Sequence, residues 1–129
     1  MKTIIAITSL LVGLAAAGST LQGQTAATGR VMREKLTHSQ RILEAILISD
    51  FALLERESEA LSRATELPGW FVLEGPEYRK YSATFLRATR DLIEAAKERD
   101  LDAAATRYTT LITSCYQCHR YMKNARIAR

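Results

Sequence analysis

Helical periodicity runs almost without a break from Thr28 to the end of this chain, and no other feature limits its fold as strongly. Advancing about 100° per residue places Val31, Met32, Leu36, Ile42, Leu43, Ile46 and Leu47, all within residues 30–48, in one wide apolar arc. Ser49-Asp50 interrupts that pattern with short polar side chains able to accept from the free amides of a following turn. A second helix is expected over 51–66, burying Phe51, Leu54 and Leu61. Leu67-Pro68-Gly69-Trp70 ends it, and the link runs on to Glu74-Gly75-Pro76, where proline suits a first helical position. The third helix is read over 76–99, with Tyr78, Tyr81, Phe85, Ala88, Leu92 and Ala95 alternating steps of three and four as in a bundle seam. Asp100 caps a fourth helix over 101–125. With no β-rich segment, repeat or low-complexity tract, these signals predict an all-α fold, an antiparallel up-down-up-down four-helix bundle occupying 28–129 as one domain.

The N-terminal residues read differently. After Met1-Lys2, residues 3–17 (TIIAITSLLVGLAAA) are almost wholly apolar and end in Ala15-Ala16-Ala17 before Gly18-Ser19-Thr20. A positive start, an apolar stretch and small residues at its end are the parts of a secretory signal peptide. The stretch is shorter than the roughly 20 residues a helix needs to span a bilayer, and no basic cluster follows it. Residues 1–17 are therefore expected to be a leader cut somewhere between 17 and 27. The mature chain then works outside the cytoplasm without a membrane anchor. Charge excludes one class of partner: 18 Lys and Arg against 14 Asp and Glu give +4, with no run of five or six basic residues, so nucleic acid is not expected. The charged positions Glu55, Arg56, Glu57, Glu59, Lys97, Glu98 and Arg99 read as solvated helix faces. No carboxylate pair or nucleophile motif suggests catalysis, and the chain is not expected to be an enzyme.

The chemistry gathers near the end of the chain. Both cysteines of the 129 residues lie in Cys115-Tyr116-Gln117-Cys118-His119. Cys115 and His119 are four apart and share a helix face, with Tyr108 and Ile112 preceding them on the stripe expected to be buried; Cys118 falls at its edge. Three chemistries use such a cluster. A disulfide is open to an exported chain, although redox Cys-x-x-Cys pairs favour a helix N-terminus after a strand. A zinc site needs three or four ligands, and the adjacent Cys118 and His119 do not easily reach one ion together. Haem c attachment uses all three residues: both thiols add across the vinyl groups and the adjacent histidine becomes the proximal iron ligand. One covalent haem per chain is the expectation.

An exported four-helix bundle with this pentapeptide about ten residues from the end resembles the cytochrome c-prime family, the class II c-type cytochromes. The resemblance implies a haem between the helices, a bacterial periplasmic location and frequent homodimers. It further implies a distal position on the first helix. Members with an open distal face are five-coordinate and bind nitric oxide or carbon monoxide, and those with a methionine there are low-spin electron carriers. Met32 occupies that region and is the expected distal ligand; Met122 shares the helix of His119 and does not reach the opposite face. His38, at the rim of the arc, is a competing ligand. The sequence departs from the family at Trp70-Phe71 and at Tyr121, one place earlier than the usual spacing after the Cys-His pair. Arg30, Arg33, Arg120 and Lys123 are candidates to meet the haem propionates.

The reading that results is a periplasmic monohaem cytochrome that exchanges single electrons with redox partner proteins. A five-coordinate gas-binding protein with Leu36 and Leu43 in an apolar distal pocket is the alternative, and a non-haem helical protein with a redox or metal Cys pair is the third. The wide apolar arcs of the first two helices predict a homodimer built on them. Sedimentation velocity of the mature chain should give twice the monomer mass, and a monomer across the concentration range would exclude it.

Overall fold

The computed structural model describes the backbone of residues 2–125 and the side chains of residues 23–125. The proposed leader, 1–17, lies outside the residues whose side chains are described. The chain forms α1 (Lys2–Leu47), α2 (Phe51–Arg63), two single-turn 3₁₀ helices (Ala64–Glu66 and Pro68–Trp70), α3 (Pro76–Glu98) and α4 (Leu101–Asn124). It is a four-helix bundle, with no strand among the described residues. The expected second helix divides at Arg63, where the chain tightens into the first 3₁₀ turn ahead of Pro68. A proline lacks the amide that another helical turn would use.

The two short links are built alike. At the end of α1, Ser49 takes a left-handed conformation (φ 59°) and the Asp50 amide donates back to the Ala45 carbonyl at 2.9 Å. At the end of α3, Arg99 does the same (φ 57°) and the Asp100 amide donates to Ala95 at 3.0 Å. Each aspartate then starts the next helix: Asp50 accepts from the Leu53 amide and Asp100 from the Ala103 amide, both at 2.9 Å. One left-handed residue closes the carbonyls of the first helix, and one carboxylate caps the amides of the second. Neither αL residue is glycine, so each turn carries a cost of about 1–2 kcal/mol that the caps and packing must exceed.

Ile42, Leu54, Leu61, Leu92 and Leu111 are the largest fully buried apolar side chains, one or more from each helix. Packing is close between α1 and α2, α2 and α3, and α3 and α4, and much thinner between the neighbouring helices α1 and α4. Along α3 the expected seam is observed, with Tyr78, Phe85, Ala88, Leu92 and Ala95 buried and Tyr81 half-buried. On α1 the buried stripe is rotated from the expected arc. It passes through Val31, Lys35, Ser39, Ile42, Ala45 and Ile46, while Leu36 is 59% exposed and Leu47 75%. An apolar count skips Lys35 and Ser39, yet a long aliphatic stem and a small hydroxymethyl both fit a helix interface. On α4 the buried line likewise runs through Ala104, Leu111, Ser114 and Met122, leaving Ile112 exposed. Glu57 is a further correction: expected on a solvated face, it is buried on α2.

The link between α2 and α3 is drawn into the core by Trp70. Its indole N–H donates to Ser82 Oγ at 3.1 Å, its ring tilts 41° against Phe85 at 5.0 Å, and its carbonyl accepts from the Tyr78 hydroxyl. The preceding residue must be glycine. A Cβ on Gly69 would stand 2.5 Å from the Ala27 carbonyl oxygen and 2.9 Å from the Thr28 nitrogen, both backbone atoms of α1. Gly69→Ala should therefore destabilise the fold by about 1–3 kcal/mol, as overpacking does, read as a lower denaturation midpoint with the helical signal of the native state retained.

Candidate cofactor cleft

The loose packing of α1 against α4 leaves a cleft of about 510 Å³. That volume falls in the roughly 300–1,000 Å³ range of small-molecule and cofactor sites. Its wall includes Met32, Lys35 and Leu36 from α1, Leu61 from α2, Phe85 from α3, and Ile112, Cys115 and His119 from α4. The phase of each helix explains the membership. Residues 32 and 36 flank the buried stripe of α1, and residues 112, 115 and 119 flank that of α4. Side chains on two facing flanks line a gap rather than fill it. Where the helices do touch, the Tyr108 hydroxyl donates to the Ser39 carbonyl at 3.1 Å.

Sequence reasoning named Cys115, Cys118, His119 and Met32, and three of the four line this cleft. Cys118 is half-buried and packs against the adjoining core. Both sulfurs are free thiols. Burial raises each thiol pKa above its usual value, and the Lys35 ammonium partly opposes that rise. Burial and the same ammonium hold the His119 imidazole below its ordinary pKa, which favours the neutral ring whose nitrogen carries a free lone pair. Among the described residues no three His, Cys, Asp or Glu side chains converge as a metal-ion site. What the cleft offers instead is a sulfur and an imidazole on one wall, a thioether on another, and apolar surface between them.

Two other sequence expectations change place. His38 is not in the cleft wall; its Nδ1 lies 2.7 Å from Glu57 Oε2. Leu43 is also absent from the wall, whereas Leu36 belongs to it. Of the basic residues considered for propionate contact, Arg33 lines the cleft, while Arg120 lies over the Tyr116 ring at 5.7 Å. Lys35 was missed. Its residue type marks a solvated position in a sequence, but its Nζ lies 4.3 Å from the Trp70 ring centroid and 4.2 Å from that of Phe85. The only signal available was its place at i+4 from Val31 and i−7 from Ile42, on the interior stripe.

None of the known protein families, curated proteins or solved structures gives a match to the chain.

Beside the cleft, Glu57 ties α2 to α1 through His38 and Arg41, with Arg56 alongside at 3.4 Å. Burial pushes its carboxyl pKa up, but the His38 hydrogen bond and the Arg41 charge outweigh this and leave it below the ordinary value. A carboxylate depressed in the folded state stabilises the fold above its unfolded pKa and loses that contribution as pH falls through the folded value. Glu57→Gln should cost about 1–3 kcal/mol at pH 7. The gap to the wild type in urea denaturation should narrow as pH drops below about 4.3.

Proposed function

We propose that this chain is an exported, periplasmic c-type cytochrome that carries single electrons on one covalently attached haem. The observation that carries the reading is that Cys115 and His119 of the Cys-x-x-Cys-His segment line the same apolar cleft as Met32. The donor set fits the group. Cys115 and Cys118 would each form a thioether by adding S–H across a vinyl double bond, so the sulfur gains a carbon and the neighbouring carbon takes the proton. His119 would serve as proximal ligand and Met32 as distal ligand. When bound, the haem supplies the one-electron ferric–ferrous couple. Leu36, Leu61, Phe85 and Ile112 give the cleft apolar walls, and ligation by a thioether together with an imidazole would favour the reduced iron. The leader-like residues 3–17 support export, and tethering through two sulfurs keeps a cofactor that would otherwise diffuse away. Redox partner proteins would supply and remove the electron.

The absorption spectrum of purified holoprotein, oxidised and reduced, with and without carbon monoxide, tests the reading. Low-spin bands, one haem per chain that survives denaturation, and indifference to carbon monoxide are expected. Met32→Ala should change the oxidised spectrum to high-spin and make the reduced protein bind carbon monoxide. High-spin, carbon-monoxide-binding wild-type protein would make the chain a five-coordinate gas binder instead. Absence of covalent haem would leave the cysteine pair to redox or metal chemistry.

A further inference from the structure

Lys35 is the one buried lysine among the described residues, 9% exposed, and its ammonium sits against two aromatic faces in the wall of the cleft. The Trp70 and Phe85 rings stand 5.0 Å apart and tilted, so one cation is in reach of the electron-rich faces of both. Among the described residues the salt bridges to carboxylates are made by His38, Arg41, Arg56 and Arg63, and none by Lys35. A buried ion without an opposite charge is costly to the fold, and the two ring faces are the contacts that offset part of that cost. The same side chain lines the cleft.

We propose that Lys35 is a fixed positive charge in the haem cleft that raises the reduction potential of the bound iron. This rests on the haem reading above. Loss of one electron adds one positive charge at the iron, and a cation in the same low-polarity cleft disfavours the more positive state. A unit charge about 10 Å away in a medium of effective dielectric about 20 shifts such an equilibrium roughly tenfold. Lys35 lines the same cleft as Cys115 and His119. In a haem held by Cys115, Cys118 and His119, an ammonium in the wall of the same cleft would act on the charge of the iron.

Potentiometric titration of the holoprotein reads the effect directly, comparing wild type with Lys35→Met and Lys35→Arg. In the Met variant the ferrous-to-ferric ratio at fixed ambient potential should fall about tenfold, equivalent to about 59 mV, with the low-spin spectrum unchanged. The Arg variant retains a cation that stacks on aromatic rings and should stay near the wild type. Lys35→Gln reads the same quantity if the Met variant does not take up haem. An unchanged potential in the neutral variants overturns the proposal. So does an Arg variant that falls as far as the Met variant, because the effect is then one of shape rather than charge. Wild-type protein without covalent haem overturns the underlying reading and this proposal together, and the absorption spectrum recorded first separates that outcome from the others.

Discussion

The buried indole of Trp70 joins parts of the chain that no covalent connection brings together. It receives the Lys35 ammonium of α1 on its face, leans on Phe85, donates to Ser82 and accepts at its carbonyl from Tyr78, the last three all on α3. The neighbouring Gly69 meets the backbone of α1 at a distance that leaves no room for a side chain. This junction holds the link between α2 and α3 inside the bundle, and it places Phe85 and Lys35 in the cleft wall. Without it, the Lys35 ammonium would lose one of the two ring faces it lies against.

The cleft follows from uneven packing. Consecutive helices pack closely, whereas α1 and α4 pack far more thinly. Short links of the same design, Ser49-Asp50 and Arg99-Asp100, bring α2 against α1 and α4 against α3. No link joins α1 to α4, and the Ser39–Tyr108 contact bridges them at one level. A gap flanked by Met32 and Leu36 on one helix and by Ile112, Cys115 and His119 on the other is the space that remains.

Much of the fold could be read from particular residues. Asp50 and Asp100 mark helix starts because a short carboxylate followed by a helical pattern is a capping signal, and both cap as expected. The three-four alternation of α3 located its buried face almost residue by residue. The same reasoning misphased α1 and α4. Apolar content is wide on α1, because one flank packs inside and the other flank, with Leu36, Leu43 and Leu47, is exposed. Periodicity detects an arc but does not tell which part of a broad arc faces the core. Glu57 escaped for a related reason: its burial depends on His38 and Arg41 arriving from another helix, a pairing no local pattern encodes.

The sequence by itself determined the helical class, the positions of the turns and the grouping of two thiols and an imidazole on one helix, because capping, periodicity and i, i+4 spacing are local. Only the tertiary structure decided that Met32 shares a cleft with Cys115 and His119, that His38 turns to Glu57 instead, and that Lys35 is buried against Trp70 and Phe85. These are contacts between residues far apart along the chain. Their physical cause is the relative rotation of helices packed side by side, which is set by the sum of many interface contacts and not by any one segment.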